Sequence, residues 1–226
     1  MTVARPPRRR LEPDARREQI LDVAARLFGE RPYAAVSTTE IAAQAGVARG
    51  LLNHYFGTKR ELYLEVVRAM VLRPSIDEAV VTTGPLATRV DRSVSWFLDM
   101  VEEHGKTWVA VTGAEVVGTD PEIEAILAEA DDLAARKVLA TLGIADDATP
   151  AQRTRESARV AAAAESEQRR AAIRAYGGMA KAAVREWVRD GTLTKDQVHT
   201  LLSKALLAVV RDVLPHLPSG ELRGIE

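Results

Sequence analysis

The chain has 226 residues, with 31 basic and 32 acidic side chains and a formal net charge of −1. Hydrophobic residues make up 46% and charged residues 28%, enough for a buried core and against disorder throughout. No cysteine is present, which excludes disulfides, thiolate zinc sites, iron–sulfur clusters and cysteine nucleophiles.

Charge is unevenly spread. Residues 1–60 hold 11 basic and 6 acidic side chains, and residues 61–226 hold 20 and 26. A basic head on an acidic body suggests that the head meets a polyanion. The apolar run Ala205 to Val210 is too short to cross a bilayer. The N-terminal arginines precede no apolar stretch, so they are not a secretory signal. A cytoplasmic protein with no membrane partner is expected.

Strand-like alternation is absent and the helical period recurs, which predicts an all-α fold. Residues 1–13 form a basic flexible arm, with Arg5, Arg8, Arg9 and Arg10 among prolines. The arm is either a mobile terminus or a minor-groove contact. A helix follows from Asp14 to Glu30, with Ile20, Val23, Ala24, Leu27 and Phe28 on one face. Ser37-Thr38-Thr39-Glu40 fits a capping box opening a short helix, which Gly46 closes. Arg49 to Phe56 form a second short helix, Gly57 ends it, and Thr58 caps a longer one.

The rest reads as a helical bundle. Leu86, Val90, Val94, Phe97 and Val101 line a helix expected to stop near Gly105, with a separate piece over residues 107–117. Asp120-Pro121 opens a helix that ends at Gly143. Thr149-Pro150 opens another, in which Val160 is the one large apolar residue between Ala151 and Ala172. Such a segment has little to bury and is expected to project or fray. Gly177-Gly178 signals a kink, a close approach or a weak point. Thr194-Lys195-Asp196-Gln197 is a further capping box, and the helix after it carries an apolar stripe from Val198 to Val213.

Two short helices joined by a tight glycine turn have the helix-turn-helix layout, whose second helix enters the major groove. The second helix offers Arg49, Asn53 and His54 or Tyr55. Arginine suits guanine and asparagine suits adenine. Lys59 stands at the start of the next helix, where its charge and free backbone donors can share a phosphate.

Residues 14–70 resemble the DNA-binding head of the tetracycline-repressor (TetR) family. The resemblance rests on Ile20-Leu21-Asp22-Val23-Ala24, Leu27-Phe28, Ser37 to Ala42, Ala45-Gly46-Val47, Leu52 to Phe56 and Thr58 to Leu62. It implies a helix-turn-helix domain over 14–58, a helical ligand-binding and dimerisation domain over 59–217, and a tail over 218–226. It implies a homodimer on a palindromic operator of double-stranded DNA, released by a small-molecule effector. Carried over by position, Thr38, Thr39, Arg49, Gly50, Asn53, Tyr55 and Lys59 are the implied DNA contacts. The family's frequent Tyr-Tyr-His-Phe is here Asn53-His54-Tyr55-Phe56.

Trp96, Phe97, Met100, His104, Trp108 and, on a later helix, Tyr176 are the candidate pocket wall. Val184, Trp187, Leu201, Leu202, Ala205 and Val209 are the candidate dimer seam. Asp131 and Asp132 point about 100° apart on a helix and are expected to be solvated rather than metal ligands. The four histidines lack zinc-like spacing, so no metal or cofactor is expected. The expected function is a ligand-responsive regulator, a repressor, and not an enzyme. The alternatives are a DNA-organising dimer without sequence preference and a helical enzyme. The first would show steep salt dependence with no shared motif. The second needs a convergent nucleophile, base or phosphate loop, and none is visible.

Overall fold

A computed structural model describes residues 13–72, 83–113, 120–144 and 156–217, and every regular element among them is helical. The arginine arm, the Thr149-Pro150 start and the tail lie outside the described residues. The helices are α1 (Pro13–Glu30), α2 (Thr38–Gln44), α3 (Arg49–Phe56), α4 (Lys59–Leu72), α5 (Leu86–Thr112), α6 (Pro121–Thr141), α7 (Glu156–Val188) and α8 (Lys195–Ala208). A 3-10 turn, Tyr33–Ala35, links α1 to α2. Past α8 the chain continues as a π-helical turn, Val209–Val213, and a 3-10 turn, Leu214–His216.

The chain divides into two compact units between Ala69 and Met70, inside α4 rather than before it. The first turns of α4 belong to the head because Leu62, Tyr63, Leu64, Val66 and Val67 are buried there. The head's core also takes Ile20, Leu21, Ala24, Leu27 and Phe28 of α1, Ile41 and Ala42 of α2, and Leu52 and Phe56 of α3. Helices of seven and eight residues do not persist alone. Their stability comes from these contacts, each buried large side chain being worth roughly 1.5–3 kcal/mol. Arg17 of α1 joins Glu65 of α4 at 2.8 Å and lies over the Phe56 ring.

In the second unit, α5 and α7 each pack against all three other long helices. The core runs through Val90, Val94, Leu98 and Val101 of α5, Ala135 and Leu139 of α6, Ile173 and Val184 of α7, and Val198 and Leu202 of α8. The expected break at Gly105 does not occur. Gly105 is buried inside one 27-residue α5 because the apolar face continues through Trp108, Val109 and Val111. A Cβ there would lie 3.2 Å from both Val188 methyls, so this glycine serves a close approach of α5 and α7.

The polar stretch expected to fray is helical from Glu156 and continues unbroken through Gly177-Gly178 to Val188. Ion pairs from α7 to α6 compensate for the scarcity of apolar side chains. Arg174 reaches Asp132 at 3.0 Å, Lys181 reaches Asp131 at 2.6 Å, and Arg170 approaches Asp132 at 3.7 Å. Asp131 and Asp132 are therefore paired rather than merely solvated: their divergent directions suit different cations on α7. The capping box at Thr194 and Gln197 forms in both directions.

Candidate nucleic-acid interface and ligand cavity

The turn between α2 and α3 is set by local chemistry. Ser37 Oγ accepts from the Glu40 N–H at 3.1 Å. The Glu40 carboxylate pairs with Arg31 at 2.7 Å, so the expected capping box is realised on the Ser37 side. Gly46 holds φ at +64°, and the Val47 N–H donates to the Ala42 carbonyl at 2.9 Å. Gly57 ends α3 at φ +68°. Immediately after it, the Thr58 N–H donates to Glu61 Oε2 at 2.7 Å and the Glu61 N–H donates to Thr58 Oγ1 at 3.2 Å. The Thr58 backbone donor, then its hydroxyl, holds the Glu61 carboxyl below the usual carboxylate range.

This scaffold exposes one face of α3. Leu52 and Phe56 point into the core, while Arg49, Gly50, Asn53 and His54 are exposed. A Cβ at Gly50 would meet nothing within 4 Å, so the backbone there is open to close approach. Thr39 is exposed and Thr38 half-buried at the start of α2. Tyr55 is half-buried, its ring 5.7 Å from His54 and 6.3 Å from Phe56. His54 is thus the more exposed member of the His54–Tyr55 pair. Its spacing of four from Gly50 was the signal for it.

Lys59 is engaged within the head. Its Nζ donates to the Tyr33 carbonyl at 2.6 Å and lies 4.2 Å above the Tyr33 ring. Burial lowers its pKa. Tyr33 stacks on Phe28 and packs on Tyr63, whose phenol is pushed up to about 12 by burial and by Tyr33. The ammonium is therefore held beside the 3-10 turn instead of extending freely.

The second unit encloses a cavity of about 200 Å³. Trp96, Phe97, Met100 and Trp108 of α5 line it with Leu127 of α6 and Ile173, Tyr176 and Gly177 of α7. Met70 and Val71, the end of α4, also reach the wall. Phe97 and Trp108 meet edge to face, with centroids 5.7 Å apart. His104 does not line the cavity. It shares the helical phase of Phe97, yet its side chain is exposed beside Glu103. Phase alone does not say which stretch of a face a neighbour covers.

Polar groups inside the cavity are already bonded. The Tyr176 hydroxyl donates to the Leu202 carbonyl at 3.1 Å, and burial pushes that phenol up. The Thr112 and Thr141 hydroxyls donate to carbonyls of their own helices, at Trp108 and Lys137. Charge enters the wall through Asp131, Lys137, Arg174 and Lys181.

The dimer candidates separate by exposure. Val184 and Leu202 are fully buried in the unit's own core and offer no area to a partner. The stripe's breadth misled there, since its inner edge packs on α5 and α7. Leu201 is 43% exposed, and Trp187, Ala205 and Val209 are half-buried. A shallow surface groove beside them is lined by Thr200, Leu201, Lys204 and Ala205, among others.

Among the described residues, no group of three His, Asp or Glu is placed to hold a metal ion. No helix of the described residues is long and apolar enough to cross a membrane.

Residues 20–66 match the family described as bacterial regulatory proteins, tetR family. The HTH-type transcriptional activator FasR of Mycolicibacterium smegmatis is 34% identical over 118 residues, covering 51% of this chain and 53% of that protein. The HTH-type transcriptional regulator BetI of Rhizobium meliloti is 38% identical over 82 residues, covering 36% and 39%. The chain thus spans about half or less of the curated relatives it matches. A TetR-family transcriptional regulator from Streptomyces coelicolor superposes with a TM-score of 0.66 at 23% identity, covering 91% of this chain and 87% of that one.

Proposed function

We propose that this chain, which carries the TetR-family DNA-binding module on a TetR-family fold, is a ligand-responsive transcriptional repressor released from a palindromic operator by a small molecule. The observation that carries this reading is the exposed face of α3: Arg49, Gly50, Asn53 and His54 stand clear on a helix anchored by Leu52 and Phe56.

In the major groove, the Arg49 guanidinium suits the O6 and N7 acceptors of guanine, and the Asn53 amide suits adenine. Gly50 lets the backbone approach the duplex. Thr38 and Thr39, at the start of α2, are placed to donate to phosphate. Tyr55 and Lys59 contribute from partly buried positions, with Tyr33 fixing where the Lys59 charge sits. A homodimer would present two such faces to two half-sites, through a seam built on Leu201, Ala205, Trp187 and Val209.

Binding of the effector needs no catalysis. It must favour the DNA-incompetent conformation, and each tenfold of differential affinity shifts that equilibrium by about 1.4 kcal/mol. Met70 and Val71 support the coupling, since the helix that opens at Lys59 ends at the cavity wall.

The test is sequencing of genomic fragments retained by the purified protein, followed by Arg49→Ala. A shared palindrome is expected. The variant should lose about 1–3 kcal/mol of operator affinity with its oligomeric state unchanged in sedimentation. Retention without a shared motif, falling steeply with salt, would replace this reading with DNA organisation.

A further inference from the structure

We infer that the effector is an anionic amphiphile: a compact apolar body fills the α5–α7 cavity, and one carboxylate-like head is held at the edge formed by Lys181 and Arg174. The inference rests on reading this cavity as the effector site.

The body follows from the lining. Rings and aliphatic side chains make most of the wall, and the hydroxyls of Tyr176, Thr112 and Thr141 are committed to backbone carbonyls. A polar ligand body would be stripped of water there with few partners in return. The volume of about 200 Å³ is somewhat larger than the ~150 Å³ apolar cavity that takes benzene. It suits a single ring or a short alkyl chain.

The head follows from charge. The wall contains three cations, Lys137, Arg174 and Lys181, and one carboxylate, Asp131. Widening the view to their ion partners adds Asp132 and Glu167 but also Arg136 and Arg170, so positive charge remains in excess. Lys181 and Arg174 have side-chain exposures of 25% and 31%, which places them between the apolar interior and solvent. The Lys181 ammonium has three donors, and its ion pair with Asp131 does not use them all. Arg174 has five, bonded so far to Asp132 and Glu167. An arriving anion finds donors, whereas an arriving cation finds carboxylates already neutralised by their own partners. Nor do Phe97 and Trp108 form a cage of parallel faces for an ammonium, because they meet edge to face.

The experiment compares three ligands with one tail: octanoate, octan-1-ol and octyltrimethylammonium. Affinity is read from tryptophan fluorescence of the full chain carrying Trp187→Phe, which leaves Trp96 and Trp108 as reporters in the wall. Octanoate should bind at least about tenfold tighter than the ammonium compound. Lys181→Gln should shrink that ratio, and Asp131→Asn should raise octanoate affinity. Both variants break the same ion pair, so a purely structural role would move octanoate binding in the same direction in both.

Gly177→Phe should block all three ligands, since a Cβ at Gly177 meets nothing within 4 Å and the residue lines the cavity. Equal affinity for the three heads, or a preference for the ammonium, with Gly177→Phe still blocking, would overturn the anionic head and leave the cavity as the effector site. Binding of none of them, or binding indifferent to Gly177→Phe, would overturn both.

Discussion

In the head, the residues placed to touch a partner stand outside the core. Arg49, Asn53 and His54 project from a helix whose opposite side carries Leu52 and Phe56. In the second unit the relevant residues face inward, and Trp96, Phe97, Trp108 and Tyr176 line a cavity between packed helices. A convex reading face needs only a rigid short helix with the right side buried. A concave site needs several helices to leave a gap in register. The first is written in one stretch of sequence, and the second in the sum of four.

Glycine marks the same contrast. Gly46 and Gly57 work through positive φ, at turns that any local reading can find. Gly105 and Gly177 sit inside helices, where their value lies in what surrounds them: Val188 against Gly105 and open cavity beside Gly177.

The sharpest test of the contrast is Leu52→Ala. Leu52 is fully buried at the centre of the smaller unit, and a buried Leu→Ala costs about 2–5 kcal/mol. That is a large share of a small domain's stability. Operator binding should be lost while the helices of the second unit persist in circular dichroism. Wild-type operator affinity in this variant would show that α3 does not depend on its own core.

Gly57→Ala comes next. The φ of +68° with ψ of −101° is a region that side chains rarely occupy, at a cost of about 1–3 kcal/mol. The added Cβ would also overlap the Glu61 carboxylate that caps α4. The thermal midpoint of the head should fall and DNA affinity with it. An unchanged midpoint would mean that the α3–α4 corner relaxes freely.

Much of the head could be read before any coordinates. The Ser37 cap, Gly46, Gly57 and the Thr58 cap stand where their chemistry put them. What could not be read there was the choice among competing partners. Glu40 takes Arg31 over Ser37, and Lys59 takes Tyr33. In the second unit, the helices after Asp120 and Thr194 were legible from their caps. The continuity of α5 through Gly105 was not, because a glycine signals a stop only when nothing packs on it. Val184 and Leu202 lie on the same stripes as exposed residues, and only the packing of α5, α7 and α8 decides which edge is internal. The pairing of Asp131 and Asp132 likewise depends on α7 lying alongside.

The smallest effect is also the one that separates stability from function. Gly177 lies inside α7, and a Cβ there meets nothing within 4 Å. Gly177→Ala should therefore gain helix propensity of up to about 1 kcal/mol with no clash to offset it. The same methyl narrows the cavity, because Gly177 is part of its wall. The variant should melt at a higher temperature, bind operator as well as the parent, and respond more weakly to ligand. Gly57→Ala should do the reverse, losing stability and DNA affinity while the cavity is untouched. If Gly177→Ala instead lowered the melting temperature, the space beside Gly177 would be filled in solution, and the cavity would be smaller than its walls imply.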